Sequence, residues 1–437
     1  MRTKFPWLAA QGIFYGWVIV LVSFLTMTLV VGTRFTFGVF YPSMLAEMGW
    51  SRAATAGIFS VSMLVYAIVA LGVGAAFDWL GPRRMFPLAA ILLGGGFFLC
   101  SQITTLWEFY LYYGVLVGVG FTAIGFIPHV SLMARWFQRQ RGLATSLVLS
   151  GTGVGSLVFA PVSAYLLAHY GWRTGYLYYA VLIPGVLIPL ILLLYRDRPE
   201  DLGLLPDGDR HPRAGDHKAT VQSRPAAARS YLSALKTPAF WALFVIIFAI
   251  GFALMTLLVH QNQYLVDLGF SQEFAAWMLG LNGILRSGGT ILWGYISDRT
   301  TREMSFTFSS LLGFLALPCL LATASFPVAW LVVLSMVLMG LGYGGTSVVY
   351  GTSAADLFQG PHFGKILGLM EIGFGLGASC GSYLAGWLFD RFQTYHIAFY
   401  IVMGLILVSI GCIWIAAPRT ARRRISEPVS RSSVDPV

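Results

Sequence analysis

The sequence predicts an all-α membrane protein in which twelve transmembrane helices form two pseudo-symmetric six-helix bundles. Of its 437 residues, 57% are hydrophobic and 11% are charged, whereas a soluble domain usually has about a quarter of its residues charged. The apolar residues form runs of about twenty, the length that a helix needs to cross a bilayer core roughly 30 Å thick. Short motifs of the first half recur in the second half. The composition therefore excludes a soluble enzyme.

Twelve apolar runs predict the helices, six on each side of a polar stretch from Arg196 to Lys236. Their approximate ranges are 16–40, 53–77, 85–105, 107–131, 142–168, 174–195, 239–266, 274–296, 304–324, 327–352, 364–388 and 394–416. We divide the chain into an N-terminal bundle, a cytoplasmic linker, a C-terminal bundle and a cytoplasmic tail. These four parts comprise residues 1–195, 196–236, 237–417 and 418–437.

The distribution of positive charge predicts the orientation. Of the 28 Lys and Arg residues, 23 lie in the N-terminus, the even-numbered loops and the tail, and three lie in the odd-numbered loops. Positive residues accumulate on the cytoplasmic side of a membrane, so both termini and the linker are expected there, in a multi-pass protein of the plasma membrane. The basic N-terminal lead is expected to be retained, and the tail is expected to be disordered and to contact anionic lipid. The net charge of +10 thus reflects topology and indicates no nucleic-acid partner.

Recurring motifs indicate an internal duplication. GWSRA at 49–53 recurs as GFSQE at 269–273, and Asp78 of GAAFDWLGPRR recurs as Asp298 of GYISDRTTR, both 220 residues later. GVGF and GTGVGS of the first half similarly match GLGY and GFGLGAS of the second. Duplications of this kind place a substrate site near the membrane midplane, between the two halves.

The two Asp-containing turns are candidates for a conformational gate. Each joins two helices on the predicted cytoplasmic face, where an aspartate can meet a helix N-terminus or a basic partner and stabilise one conformation. The gate candidates are Asp78, Arg83, Arg84, Asp298 and Arg299.

At these motifs the chain resembles a known superfamily. Gly74, Asp78, Gly81, Arg83 and Arg84 match the signature of the loop between helices 2 and 3 in the major facilitator superfamily. FYGWVIV, FGVFYPSMLAEMGWSRA, ARWFQRQRGLATSLVLSGTGVGS and HQNQYLVDLGFS resemble, more narrowly, the monocarboxylate transporters and the related oxalate:formate antiporters. The resemblance implies the major facilitator fold and transport of a small organic anion by alternating access.

Arg286 is the leading candidate for binding the substrate. It lies midway along the eighth span, where a charged side chain is costly by roughly 2.5–3.5 kcal/mol, and its guanidinium could hold a carboxylate through two parallel hydrogen bonds. The resemblance implies that an arginine here is the substrate-binding cation, preceded four residues earlier by an aspartate. This chain has Asn282 at that earlier position. The alternative is a structural arginine paired with a carboxylate of another helix.

Two other charged residues fall inside predicted spans. Arg34 is expected in the outer third of the first span, either lining the external mouth or extending to the outer interface. The resemblance implies a lysine next to this position in proton-linked members, where this chain has Phe35. Glu371, in the eleventh span, is either a proton carrier or the counter-ion of an arginine.

Polar and aromatic side chains complete the list of candidates. His260 could titrate near neutral pH and bind substrate or carry a proton, and the alternative is a histidine that is merely packed. Tyr343 and Tyr350 are candidate hydrogen-bond donors, and Phe374 a candidate apolar wall, although aromatic packing is the alternative for each. Tyr66 is the repeat counterpart of Arg286 and is expected to face the same cavity.

The leading hypothesis is a secondary transporter of a small monocarboxylate such as lactate or pyruvate, with proton symport as one mode of coupling. The alternatives are an exchanger of oxalate-like or formate-like anions, a drug or aromatic-compound exporter, and a non-transporting sensor. The four cysteines lie in apolar spans without the spacing of metal ligands, so we expect neither metal nor cofactor. The expected partners are a small organic anion, protons and the lipid bilayer, and the protein is expected to be a monomer without enzyme activity.

Overall fold

The computed structural model describes residues 14–138, 140–208, 231–358 and 363–418. Regular structure in these ranges is helical throughout. By length and composition, ten segments of this part of the chain are helices apolar enough to cross a membrane. One of them, Gly142–Leu194, contains two helices, because Gly171 interrupts it with a positive φ of 78°. The 28-residue helix Gln272–Arg299, which has several polar side chains, completes the predicted twelve.

The N-terminal half contains helices α1 to α6. Their bounds are Gly16–Met48 for α1, Arg52–Leu80 for α2, Pro82–Ser101 for α3, Leu106–Trp136 for α4, and 141–170 and 172–194 for α5 and α6, the two parts of Arg141–Leu194. Two short turns, Pro199–Leu202 and Pro206–Gly208, follow. The first span was expected to end near residue 40, whereas α1 extends to Met48.

The C-terminal half contains helices α7 to α12, preceded by the short helix Tyr231–Leu235. Their bounds are Pro238–Asp267 for α7, Gln272–Arg299 for α8, Arg302–Ala322 for α9, Ala329–Leu357 for α10, Phe363–Phe392 for α11 and His396–Ala416 for α12. The expectations for the N-terminal lead, the middle of the linker and the tail beyond Pro418 lie outside the described residues.

Breaks within α1 and α4 shape the interior of the N-terminal half. Helix α1 consists of Gly16–Phe35 and Phe37–Met48, which meet at Thr36. Helix α4 contains a π-helical stretch, Tyr110–Val117. Breaks of this kind are frequent at functional sites, and here Tyr113 of the π-helical stretch donates a hydrogen bond of 3.2 Å to the backbone oxygen of Arg34.

The two halves meet along pairs of helices brought together by glycines. A side chain at Gly153 of α5 would collide with Gly283 and Ser287 of α8, and one at Gly38 of α1 would collide with the carbonyl of Leu258 in α7. Helix α2 packs against α11 in the same way. Small residues at helix crossings allow the backbones to approach closely inside a membrane.

The outer surface of the bundle is apolar. Ile68, Val181 and Ile291 are 70%, 69% and 64% exposed. A band of large apolar side chains would be unfavourable in water but is expected on helices that face lipid. The interior, in contrast, contains charged side chains, of which Arg34 is 1% exposed.

Candidate functional site

A small cavity lies between the two halves, near the middle of the bundle. It is lined by α1 and α5 of the N-terminal half and by α7, α8 and α10 of the C-terminal half. The polar lining residues are Ser156, Gln261, Asn282, Arg286 and Tyr343. Its volume open to water is about 20 Å³, room for about one water molecule. The cavity therefore has to widen to admit an organic substrate.

Arg286 is the cation of this cavity. Its guanidinium lies 5.3 Å from the ring centroid of Phe35, which belongs to the other half. Among the described residues it forms neither an ion pair nor a side-chain hydrogen bond. The structural alternative, a pairing with a carboxylate of another helix, is therefore not found in this conformation. Gly340 and Gly344 of α10 pack directly against the backbone of Arg286 and hold α8 in place.

Three further side chains bring unpaired hydrogen-bond donors to the same cavity. They are Asn282, whose Nδ2 is buried, Tyr343, whose hydroxyl is buried, and Gln261, whose Nε2 is buried. In the part of the chain that the structure describes, none of these three atoms has a hydrogen-bond partner. Arg286, Asn282 and Tyr343 thus line one cavity. Gln261 was missed, although its place in the polar run HQNQY on an apolar helix is a signal that sequence reasoning could have used.

The expected position of Arg34, near the outer mouth, is wrong. Arg34 is 1% exposed, and α1 continues to Met48, about 20 Å beyond it at 1.5 Å per residue. Its Nη2 donates a 2.9 Å hydrogen bond to Ser62, and its guanidinium stacks 3.7 Å from the ring centroid of Phe121. Its Nε and Nη1 atoms are buried without a hydrogen-bond partner. Arg34 therefore neither reaches the interface nor lines the cavity around Arg286.

Glu371 lies in a second group of candidates, away from that cavity. It is half-buried in α11 and has neither a hydrogen bond nor an ion pair among the described residues, so the counter-ion alternative is not found here. Tyr66 lies near both Glu371 and Arg34, and Tyr350 lies near Glu371. The rings of Tyr66 and Phe374 meet across the two halves, with centroids 6.4 Å apart. The expectation that Tyr66 shares the cavity of Arg286 is wrong in this conformation.

His260 also lies away from the cavity, in a packed hydrogen-bond network. Its Nε2 donates to the carbonyl of Ser382 at 2.8 Å, and its Nδ1 lies 3.2 Å from the hydroxyl of Tyr395. Burial raises the pKa of Tyr395, which lies between α11 and α12, so this hydroxyl stays protonated and can donate to Nδ1. The ring of His260 is fully buried. Contact between His260 and a substrate in the cavity is therefore excluded in this conformation.

One end of the bundle, here called the Arg52 end, is closed by contacts between the halves. Arg52 of α2 forms a bidentate ion pair with Asp267 of α7, with N–O distances of 2.6 and 3.0 Å. The carboxylate of Asp390 in α11 accepts hydrogen bonds from the backbone N–H groups of Arg52 and Ala53, at 2.9 and 2.8 Å. The guanidinium of Arg52 also stacks 3.5 Å from the ring centroid of Phe389. Asp390 thus caps the N-terminus of a helix in the opposite half.

The opposite end, here called the Asp78 end, has ion pairs that stay within each half. Asp78 of α2 pairs with Arg135 of α4 at 2.6 Å. In the C-terminal half, Arg302 of α9 bridges Asp298 and Asp356, at 2.9 and 3.0 Å. Each turn braces the ends of helices of its own bundle.

Among the described residues, neither aspartate pairs with the arginines that were named beside it as gate candidates, Arg83, Arg84 and Arg299. Arg83 donates from its backbone N–H to Asp197 and from its side chain to the carbonyl of Leu192. Arg84 is exposed, and Arg299 lies over the ring of Tyr295, which precedes it by one turn. Spacing along the chain does not reveal that Arg135 is the partner of Asp78, because this pairing depends on how the helix ends pack. Arg302, in contrast, follows Asp298 by only four residues, a spacing that sequence reasoning could have used.

Comparison with known proteins defines the class. Residues 17–326 and 267–434 match the sequence model of the Major Facilitator Superfamily. With twelve helices in two halves around a central cavity, the chain belongs to this superfamily. It is 28% identical to monocarboxylate transporter 13 of Bos taurus, over 91% of this chain and 88% of that protein. It is also 28% identical to monocarboxylate transporter 11 of Homo sapiens, over 93% and 83%.

Solved structures show the same fold at lower sequence identity. A bacterial homologue of the human lysosomal transporter Spinster, in an inward-facing, unoccupied conformation, matches with a TM-score of 0.65 and 16% identity, over 96% of this chain and 99% of that one. The nucleoside transporter NupG matches with a TM-score of 0.70 and 14% identity, over 92% and 100%. The superfamily match and the related monocarboxylate transporters, rather than these structures, make the chain a multi-pass membrane transporter of a small molecule, and not an enzyme.

Proposed function

We propose that this transporter carries a small monocarboxylate of the lactate or pyruvate type. The observation that carries the proposal is Arg286, an arginine without an ionic partner among the described residues, in a cavity between the halves. A guanidinium binds a carboxylate through two parallel, charge-assisted hydrogen bonds. Asn282 and Tyr343 add neutral donors beside it. The names of the related monocarboxylate transporters support the same substrate class.

Transport proceeds by alternating access, with the halves rocking about the cavity. The bundles 1–195 and 237–417 are the moving bodies, connected by the linker 196–236, and one chain suffices because it contains both. By the distribution of positive charge, the Asp78 end faces the cytoplasm in the plasma membrane. The contacts that close the Arg52 end then correspond to an inward-facing conformation, as in the Spinster homologue.

Coupling to protons is assigned to Glu371. Neither arginine releases a proton at physiological pH, whereas a carboxyl group inside the membrane can exchange one as its surroundings change. Glu371 has no ionic partner in the part of the chain that the structure describes. This leaves the group available for symport, and it lies beside Tyr66 and Tyr350 rather than beside Arg286.

A second candidate function, exchange of a small dicarboxylate such as oxalate, has one observation in its favour. Arg34 is a second buried guanidinium, with two nitrogens that lack a partner. It does not line the cavity of Arg286, which is why a monocarboxylate is preferred. Two buried arginines also argue against a hydrophobic cation as cargo, because both would repel it.

A competition assay tests the proposed class. The purified protein in liposomes is expected to take up labelled pyruvate. Millimolar unlabelled lactate and pyruvate should compete, oxalate and formate should compete weakly, and quaternary ammonium compounds should not compete. Competition by the cations but not by the carboxylates would overturn the assignment, and strong competition by oxalate would favour the second candidate.

A further inference from the structure

Gln261 carries a buried amide that has no part in the binding of a carboxylate by Arg286. It is 2% exposed, lines the cavity between the halves, and its Nε2 has no hydrogen-bond partner. A buried donor without an acceptor is unfavourable, so an acceptor on a ligand in the cavity would stabilise the complex. Neighbouring Asn262 is also buried, with both amide atoms unpaired, but it does not line the cavity. Adjacent residues of a helix point about 100° apart, which explains the difference.

The donors of the cavity come from three helices. Gln261 belongs to α7, Asn282 and Arg286 belong to α8, and Tyr343 belongs to α10. The same three helices also contribute apolar lining residues, which are Leu254, Leu257, Leu258, Leu279 and Met339. The cavity thus combines donors with hydrocarbon, a lining that suits a compact, partly apolar anion.

A plain alkyl carboxylate cannot satisfy all of these donors. A carboxylate has about four acceptor sites. The fork of Arg286 takes two of them, and the donors of Asn282 and Tyr343 can take the other two, which leaves the amide of Gln261 without an acceptor. Gln261 and Arg286 line the same cavity, so a ligand held there by Arg286 would also lie beside the amide of Gln261. To satisfy the amide of Gln261, the ligand needs a further oxygen on the carbon next to the carboxylate, as in a 2-oxo or 2-hydroxy acid.

We propose that Gln261 is a specificity-determining residue, which donates a hydrogen bond from Nε2 to the C2 oxygen of a monocarboxylate held by Arg286. This inference rests on the proposed function. Sites that hydrogen-bond a substrate oxygen discriminate strongly against the analogue that lacks it, because the buried donor is then left unpaired. The site accordingly selects pyruvate over propionate, although both carry the same carboxylate.

The test measures binding rather than transport, so it does not depend on the direction of transport. Pyruvate and propionate are titrated against the purified full-length protein, and the ligand-dependent rise in melting temperature gives each affinity. Gln261→Met, similar in shape but without the amide, is expected to bind pyruvate about tenfold more weakly, the effect of one buried hydrogen bond. Its affinity for propionate should stay within about threefold of wild type on the same scale. Asn262→Leu, the matched control, should leave the pyruvate-to-propionate ratio unchanged.

The possible outcomes separate this inference from the proposed function. If the wild-type protein binds both acids and Gln261→Met leaves their ratio unchanged, Gln261 has no role in selectivity, while the carboxylate assignment stands. If neither acid stabilises the wild-type protein, the proposed function itself fails. Should Gln261→Met not fold, Gln261→Asn keeps the amide but withdraws it by one methylene. It should then lower the ratio, and an unchanged ratio would overturn the inference.

Discussion

The two ends of the bundle are held together in different ways. At the Arg52 end, charged groups of one half contact the other half, through the pair of Arg52 with Asp267 and the cap that Asp390 places on α2. At the Asp78 end, the described ion pairs connect helices of the same half. Opening the Arg52 end has to break these contacts, whereas a movement at the Asp78 end can leave each bundle intact. The two ends of the bundle therefore differ in how they are held together, although the two halves are sequence repeats.

The exposure of the side chains indicates how strongly these contacts hold the Arg52 end closed. The side chains of Arg52 and Asp267 are 16% and 30% exposed, so solvent weakens their attraction, and exposed pairs contribute about 0.2–1 kcal/mol. The hydrogen bonds from backbone N–H groups to the carboxylate of Asp390 add about 1.5–3 kcal/mol, as is usual for bonds to charged groups. A total of a few kcal/mol is enough to make one conformation predominate and still permit the other.

The largest effect is expected on uptake driven by a proton gradient, because each transport cycle has to open both ends of the bundle in turn. Glu371→Gln imitates the protonated carboxyl, so it should abolish accumulation of pyruvate driven by a pH gradient in liposomes. It should spare exchange of pyruvate for pyruvate, which requires no net movement of protons. Glu273→Gln, which alters an exposed glutamate of α8, is the control and should accumulate normally.

His260 is the rival carrier in this experiment. If His260→Gln abolishes accumulation and Glu371→Gln does not, the proton carrier is the histidine. Undiminished accumulation in both variants would exclude both residues as essential carriers and contradict the proposed coupling.

A smaller effect is expected when the Arg52 end is weakened. Ser60 and Ser382 meet across the two halves, buried and 2.6 Å apart, so a single cysteine at Ser60, in a protein without its native cysteines, reports opening of this end. Arg52→Ala should raise its rate of reaction with a membrane-impermeant maleimide about tenfold, because it removes both the ion pair with Asp267, at most about 1 kcal/mol, and the stack on Phe389, about 0.5–1 kcal/mol. Arg391→Ala, at the same end, is the control. An unchanged rate in Arg52→Ala would show that these contacts do not hold the end closed.

The smallest effect is expected at the Asp78 end. The side chain of Asp78 is 76% exposed, so Asp78→Ala should lower the free energy of unfolding by at most about 1 kcal/mol. The reactivity of the cysteine at Ser60 should stay within about threefold of the parent, because the Asp78–Arg135 pair lies within one half. A rise as large as that of Arg52→Ala would mean that the two ends are coupled more directly than their contacts suggest.

The features that could be predicted from the sequence are those that depend on local interactions or on patterns repeated along the chain. Apolar run length predicted twelve helices, and the internal repeat predicted a site between the halves, where Arg286, Asn282 and Tyr343 meet. Arg286 could be selected because a charge in mid-span is unfavourable unless it has a function or a partner.

Other features depend on packing between distant segments and could not be predicted in this way. The depth of Arg34 follows from the continuation of α1 beyond the break at Thr36. The position of His260 in a packed network depends on its hydrogen bonds to Ser382 and Tyr395, which are more than 100 residues away in the chain. The pairing of Asp78 with Arg135 likewise depends on which helix ends pack together.

The most direct test of the central assignment is the affinity of Arg286→Lys for pyruvate, measured by thermal stabilisation of the purified protein. Lysine keeps the positive charge but cannot form two parallel hydrogen bonds, so we expect pyruvate to bind about 10- to 100-fold more weakly, as for the loss of a charge-assisted bond. Arg84→Lys, the same substitution at an exposed arginine, should bind as wild type does. Wild-type affinity in Arg286→Lys would contradict the assignment of Arg286 as the group that holds the carboxylate.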